Sequence, residues 1–414
     1  MYNPSSKINE EIDPKDLKKK MDNNDDIFLL DVRTPAEYES WRISYEKHEN
    51  PKLIPVDHLF GNTSNLLKDI PKDKEIVTIC AHGNRSLIAA KLLNQLGYNV
   101  RSVRGGMAGW NKVSDIAEVP VSKNAPFQIW QIRRISKGCM GYIISSKEDK
   151  TAAIIDPSRE IEESFLRIAY ENKLKITKII DTHQHADHVS GVARLVKDKK
   201  KDINSENCFA YFSSYEDYDF SKSNIDNIKY IQDGDVIFIG QNVELKAIHT
   251  PGHTNGSMSF ILEHNYTDSN NINIDNNDTR NSYLFTGDTL FVDGIGRPDL
   301  RDQASQFAEM LYDSYHQKIL KFPMNTVILP AHFNGTSITL KHAIPISDTI
   351  GSIINKVKLL SMPKNEFIKF VTDTLPPRPM NYKTIISINK KMPTHDEMEM
   401  PDLEAGPNSC AISS

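Results

Sequence analysis

Residues 182–188 read Thr182-His183-Gln184-His185-Ala186-Asp187-His188, which sets three imidazoles and a carboxylate within one short stretch. Ordinary packing rarely satisfies so many polar side chains in one loop. Neutral imidazole and carboxylate are the donor set of zinc and non-haem iron. The cluster follows the apolar run Ile176 to Ile180, which predicts a buried strand ending in a loop. A rigid element would then hold the donors while the loop keeps them open to solvent, where chemistry can happen.

Further donors recur downstream, each closing an apolar, β-rich run. Val243 to Ile248 leads into His249-Thr250-Pro251-Gly252-His253-Thr254, and Ser257 to Leu262 is the next strand. Tyr283 to Thr286 leads into Gly287-Asp288-Thr289, and Thr326 to Leu329 into Pro330-Ala331-His332. This strand-then-donor order resembles the metallo-β-lactamase superfamily over roughly residues 127–340. The resemblance implies an αββα sandwich, two β-sheets with helices outside, and a metal site at one edge. It carries over as donors His183, His185, Asp187, His188, His253, Asp288 and His332.

The superfamily contains dinuclear zinc hydrolases and mononuclear iron oxygenases, and these residues are compatible with either. In the hydrolase pattern His183, His185 and His253 hold one metal, Asp187, His188 and His332 the second, and Asp288 bridges. Two zinc ions per chain would then turn a bridging water into hydroxide. In the pattern of the persulfide dioxygenases, one iron(II) per chain is held by His183, His253 and Asp288. His185, Asp187, His188 and His332 would there orient the ligands and water. The segments THQHADHVSG and FTGDTL followed by GIGRPD resemble the dioxygenase blocks, and Arg297 in the latter is a candidate for structural support or for a substrate carboxylate. After His332 the chain reads FNGTS, where simple dioxygenases often carry an Asp-Tyr pair, so the thiol carrier is not implied.

A second chemical signal lies upstream. The apolar run Glu75 to Ile79 precedes Cys80-Ala81-His82-Gly83-Asn84-Arg85-Ser86 and then the helical pattern LIAAKLLNQLGY. A cysteine between a strand and a helix N-terminus sits among convergent N–H groups and the positive end of the helix dipole. Both favour the thiolate, the nucleophilic form. Arg85 would close the loop and add a fixed positive charge. LLDVRTPAEY at Leu29–Tyr38, CAHGNRS and VRGGMAGW at Val103–Trp110 together resemble the rhodanese family of sulfurtransferases over about residues 8–115. The loop is one residue shorter between Cys80 and Arg85 than in related Cys-loop phosphatases, which suits a sulfane sulfur better than a phosphate. The resemblance implies that Cys80 carries the persulfide while Arg85 and the loop residues His82, Gly83 and Asn84 meet the anionic donor, thiosulfate or sulfite. Asp31 and Arg33 of the early DVR motif are expected to brace the fold.

The elements that must position these groups fit a chain of 414 residues, long enough for two or three cores. Hydrophobic residues at 39% and charged residues at 25% describe a soluble globular protein, and a net charge of −5 gives no attraction for nucleic acid. The N-terminus lacks an apolar signal region, no run approaches membrane-spanning length, and four scattered cysteines do not form a disulfide framework. A cytoplasmic protein without a membrane partner is therefore expected, with flat sandwich surfaces of the kind that pair into homo-oligomers. The expected organisation is a rhodanese-like α/β domain with a parallel sheet at 1–115, a linker at 116–126, a metal domain at 127–360 and a Pro-rich tail at 361–414. An asparagine-rich insertion at 264–282 is read as a surface loop, LPPRPMNYKTIISINKK as a turn before a β-like run, and the tail as lacking chemistry. The implied activity oxidises a low-molecular-weight thiol persulfide with O2 to sulfite and thiol, coupled to sulfane-sulfur transfer. The alternatives are a zinc hydrolase of the hydroxyacylglutathione hydrolase type with an accessory rhodanese domain, and a non-catalytic persulfide sensor.

Overall fold

The computed structural model describes residues 10–48, 50–60, 67–197, 204–223, 225–265, 280–333, 338–392, 402–406 and 410–412. In the N-terminal unit β1 (Glu11–Ile12), β2 (Ile27–Asp31), β3 (Lys52–Leu53), β4 (Glu75–Ile79) and β5 (Asn99–Val103) form an all-parallel sheet in the order β1-β5-β4-β2-β3. Four of the five residues of β4 are buried, as a strand with both faces covered requires. Its last turn delivers Cys80 to the start of the helix Asn84–Gln95. Asp31 and Arg33, both buried, pair through two N–H donors, and Arg33 also donates to the Trp41 carbonyl, so this pair braces the sheet.

The C-terminal unit is an αββα sandwich. Its first sheet contains β6 (Ser114–Val119), β7 (Phe127–Arg134), β8 (Met140–Ser146), β9 (Thr151–Ile155), β10 (Lys175–Ile180), β11 (Asn204–Ser213) and β12 (Ile228–Ile231), in the order β12-β11-β10-β9-β8-β7-β6. The second contains β13 (Val236–Ile239), β14 (Val243–His249), β15 (Met258–Asn265), β16 (Arg280–Gly287), β18 (Val327–Pro330) and β19 (Asp348–Thr349), paired in that order. β17 (Ile295–Gly296) pairs separately with β20 (Ala411–Ile412). The inner faces meet through Ile129, Tyr142 and Ile155 against Leu245, Phe260 and Phe285, and the Tyr142 and Phe285 rings stand edge-on at 5.0 Å. The helix Glu162–Glu171 covers the first sheet with Phe165, Leu166 and Ala169. The helix Ala304–Gln317 covers the second with Leu311 and Tyr315. Among the described residues no helix is long and apolar enough to cross a membrane.

Four sequence expectations need correction. The stretch 116–126 is not a free linker, because β6 overlaps it and pairs antiparallel with β7 from Ser114 to Val119. The alternation of buried Asp115, Ala117 and Val119 had no partner visible in the sequence. The stretches QIWQIRRISKGCMGYIISS and AAIIDP read in the sequence as two strands opening the metal domain and form three, since a turn at Gly138 divides β7 from β8. Residues 361–414 are not a tail: helices Lys364–Asp373 and Tyr382–Lys391 and the strand β20 pack on the metal domain. The run read as β-like is the second of these helices, whose buried Ile385, Ile388 and Asn389 follow helical spacing. Most of the asparagine-rich insertion, 266–279, lies outside the described residues, as do 334–337 of the FNGTS segment; the insertion's ends extend β15 and β16.

Candidate metal centre and cysteine loop

The C-terminal ends of β9, β10, β14, β16 and β18 meet at one edge of the sandwich and deliver Asp156, the 182–188 loop, His253, Asp288 and His332. Asp156 ends β9 and accepts the Thr182 amide at 2.7 Å and the Thr182 hydroxyl at 2.9 Å, which pins the start of the histidine loop. Gly287 has φ +52°, and a Cβ there would lie 2.6 Å from Thr182 Oγ1, so the close approach of β16 to this loop requires glycine. Asn389, on the helix Tyr382–Lys391, donates Nδ2 to the carbonyls of His185 (2.9 Å) and His188 (2.8 Å) and accepts the Ser190 amide. Glu404 accepts the Val189 amide at 2.9 Å and pairs with the fully buried Arg134.

These contacts decide which ring nitrogens are open. Thr182 Oγ1 gives its proton to Asp156, so it receives one from His183 Nδ1 at 2.9 Å. His253 Nδ1 faces the Arg297 carbonyl at 2.9 Å and must donate to it. Both histidines therefore present a bare Nε2. His183 Nε2 lies 3.7 Å and His253 Nε2 3.5 Å from Asp288 Oδ2, and all three atoms are buried without a hydrogen-bond partner. Burial holds His183 well below the ordinary histidine range, reinforced by His185, and burial likewise lowers His253, so both rings are neutral. Burial would raise Asp288, but His332 outweighs it and keeps the carboxylate ionised.

The remaining donors are tied to one another. His332 faces Asp288 Oδ1 through Nδ1 at 2.5 Å and Asp187 Oδ2 through Nε2 at 2.8 Å. Burial opposes its charge, yet Asp187 and Asp288 hold it well above the usual histidine range, as an imidazolium with both nitrogens protonated. His188 Nδ1 meets Asp187 Oδ1 at 3.0 Å, and the Cys139 thiol donates to Asp187 Oδ2 at 3.2 Å. Donor atoms of Cys139, Asp187, His188 and His332 lie within 4.8 Å of one another, as do those of His183, His253 and Asp288. His185 turns instead to Asp156, at 3.2 Å, and to Asp181.

Arg297 turns into the protein. It is fully buried, grips Asp299 at 2.7 and 2.9 Å and donates to the carbonyls of Pro376 and Pro377, so the substrate-carboxylate expectation is corrected to structural support. Asp156 carries the same strand-end signal as the other acids, directly after the apolar run that ends at Ile155. Cys139, Asn389 and Glu404 had no signal, because their partners lie 48, 201 and 215 residues away.

In the N-terminal unit the Gly83 amide donates to Cys80 Sγ at 3.1 Å and the Ser86 hydroxyl at 3.3 Å. Gly106 passes so close that a Cβ would fall 2.2 Å from the Cys80 carbonyl, which seats the VRGGMAGW turn against the loop. Arg85 donates twice to Glu37, at 2.9 and 2.5 Å, and this pairing pulls the Glu37 carboxyl down to about 2. His82 is exposed and pairs with Asp402 at 2.9 Å, while Asn84 opens the helix and is exposed.

Residues 13–113 match the rhodanese-like domain and residues 138–265 the metallo-beta-lactamase superfamily. The mitochondrial persulfide dioxygenase ETHE1 of Bos taurus is 30% identical over 237 residues, spanning 55% of this chain and 80% of the relative. The cytoplasmic hydroxyacylglutathione hydrolase of Arabidopsis thaliana is 26% identical over 237 residues, 56% of this chain and 78% of the relative. The crystal structure of a metallo-beta-lactamase from Staphylococcus aureus superimposes with a TM-score of 0.53 at 29% identity, covering 64% of this chain and 72% of that one.

Proposed function

Because this chain belongs to the metallo-β-lactamase superfamily, as a homologue of the persulfide dioxygenases with a rhodanese-like domain ahead of the metal domain, we propose that it oxidises a thiol persulfide to sulfite. The overall change is RSSH + O2 + H2O → RSH + SO3²⁻ + 2 H⁺, in which the outer sulfur gives up the electrons that reduce oxygen. One observation carries the reading: three buried atoms without partners, two neutral imidazole nitrogens and one carboxylate oxygen, converge from His183, His253 and Asp288. That is the donor set of a non-haem iron with positions left over for reactants. Iron(II), when bound there, supplies Lewis acidity and electron exchange between oxygen and sulfur.

The chain's own residues do the rest. Thr182 and the Arg297 carbonyl keep each ligating ring in the tautomer that bares Nε2. The His332 imidazolium holds Asp288 by one oxygen, orients the other, and keeps a positive charge beside a site where sulfite forms. Asp187 anchors that imidazolium and the Cys139 thiol. In the N-terminal domain the Cys80 thiolate would take the outer sulfur of thiosulfate, release sulfite and pass the sulfur to a thiol acceptor. Arg85 would meet the donor anion once Glu37 yields.

A dinuclear zinc thioester hydrolase is the second reading, favoured by the second donor group around Asp187, His188, His332 and Cys139. Oxygen uptake by iron-loaded protein on adding glutathione persulfide, with sulfite followed alongside, tests the first. Matched uptake and sulfite support it. Two zinc ions per chain with thioester cleavage and no uptake would replace it by the second.

A further inference from the structure

The guanidinium of the sulfur loop is already occupied. Arg85 aims its fork at Glu37, with Nη1 2.9 Å from Oε2 and Nη2 2.5 Å from Oε1. Two parallel bonds of this kind are what an oxyanion would receive from the same side chain. Glu37 is itself fixed in place. It is the third residue of the helix Pro35–Ser40, and its Oε2 also accepts the Thr34 amide and hydroxyl, each at 2.9 Å, in a capping box. Arg85 holds the Glu37 carboxyl down at about 2, so the pair stays charged across the neutral range. The two side chains are 35% and 34% exposed while Cys80 is buried, so an arriving anion meets the pair before the sulfur.

Neighbouring charges follow the same pattern. His82, also on the loop, faces Asp402 at 2.9 Å, and Arg104 of the VRGGMAGW turn lies 3.6 Å from Asp13 and 4.0 Å from Glu11. The Gly83 amide and the Ser86 hydroxyl serve Cys80 Sγ itself. The charge that a sulfur donor brings then decides between donors. Loading from thiosulfate, Cys80–S⁻ + S2O3²⁻ → Cys80–SS⁻ + SO3²⁻, sets a dianion against a thiolate and releases another dianion. Loading from a persulfide, Cys80–S⁻ + RSSH → Cys80–SS⁻ + RSH, brings no oxyanion. There the outer sulfur bonds to Sγ, the S–S bond of the donor breaks, and the inner sulfur leaves with the proton.

We propose that Glu37 occupies the oxyanion seat of the sulfur loop, so that Cys80 takes its sulfur from a thiol persulfide in preference to thiosulfate. Thiosulfate must first displace a carboxylate that the chain itself supplies, and a persulfide need not. The inference rests on the reading of Cys80 as the sulfur carrier and adds the donor class and the residue that sets it. Glu37 is a specificity residue: it acts through Arg85 and takes no part in the transfer itself.

The test uses full-length protein under nitrogen, where persulfide oxidation stops. Mass spectrometry follows the Cys80 persulfide after mixing with thiosulfate or with 2-hydroxyethyl persulfide, whose carrier is uncharged. The parent should load at a lower concentration of the persulfide than of thiosulfate. Glu37→Gln should lower the thiosulfate concentration for half-maximal loading about 3- to 30-fold, between the worth of an exposed ion pair and that of a buried charged hydrogen bond. The rate at saturation, and loading by the persulfide, should change little. Glu37→Asp, which keeps an acceptor for the cap, should show the same change to a smaller degree, and adding Arg85→Gln to Glu37→Gln should erase it. Calorimetric binding of sulfite to Cys80→Ser protein reads the seat without turnover, and adding Glu37→Gln should tighten it by the same factor. A parent that loads as readily from thiosulfate, or a Glu37→Gln protein that needs more of it, would overturn the proposal and make Glu37 a residue that orients Arg85 for the anion. Should neither donor load Cys80 while Glu37→Gln still tightens sulfite binding, the sulfur-carrier reading fails and the occupied seat stands.

Discussion

His332 Nδ1 lies 2.5 Å from Asp288 Oδ1, so one oxygen of that carboxylate is tied down while Oδ2 is left facing His183 and His253. The pair divides the donors into an open set and a closed one. His332→Ala should therefore keep about one iron per chain, with metal affinity and oxygen uptake each lowered about 10- to 100-fold, the usual cost of losing a partner behind a ligand. Metal analysis of the variant checks this. Loss of one of two bound zinc ions would instead place His332 among the ligands.

The two chemical sites are separate side-chain sets, so their activities should separate. Cys80→Ser should abolish thiosulfate:thiol sulfur transfer, at least 1000-fold by analogy with other lost nucleophiles, about the scale seen when a triad member is removed. Oxidation of added persulfide should be largely unchanged. A folded Cys80→Ser protein that had lost both activities would contradict two independent sites.

Arg134 is fully buried and its charge is met by Glu404, which also holds the Val189 amide. Glu404→Ala leaves that guanidinium unpaired and should cost about 3–5 kcal/mol of stability. Chemical denaturation measures it. The double variant Arg134→Met, Glu404→Leu removes both charges and should recover most of the loss, which a direct role of Glu404 in holding Val189 alone would not allow.

Asp181 is buried beside Asp156 and the loop histidines, and desolvation pushes its carboxyl up to about 7 from the ordinary 3.8. The unfolded chain ionises this group near 3.8, before the fold does. Stability is thus complete below 3.8, falls as pH rises from there to 7, and levels off above. The total is on the order of 4 kcal/mol. In chelator-treated protein Asp181→Asn should be more stable than the parent at pH 7.5, with the gap closing toward pH 4. A gap that stayed constant with pH would show that Asp181 is ionised throughout.

Asn389 bonds the carbonyls of His185 and His188 and the amide of Ser190 from a helix about 200 residues away in sequence. Asn389→Ala leaves these three backbone groups without that partner and should cost about 1–3 kcal/mol. It should also weaken iron binding, seen as faster loss of metal to a chelator. Unchanged metal retention at reduced stability would confine Asn389 to the fold.

The sequence by itself determined the candidate donors and the strands that present them. His183 to His188, His253, Asp288 and His332 each close an apolar run, and that relation is local: a strand that ends in a polar loop reads the same in one dimension as in three. The Cys80 loop was legible for the same reason, since β4, the loop and the helix from Asn84 are consecutive. Tertiary structure alone decided which donors are open. The tautomer of His183 depends on Asp156 through Thr182, that of His253 on the Arg297 carbonyl, and the charge of His332 on two carboxylates from different strands. Tertiary structure also committed Arg297 to Asp299 and to the carbonyls of Pro376 and Pro377. It turned a β-like run into the helix Tyr382–Lys391 because Ile385 and Ile388 found Val189 and Leu403 to pack against. Hydrogen-bond partners and helix faces are set by which strand ends and surfaces meet, and that meeting is written over separations that no local pattern records.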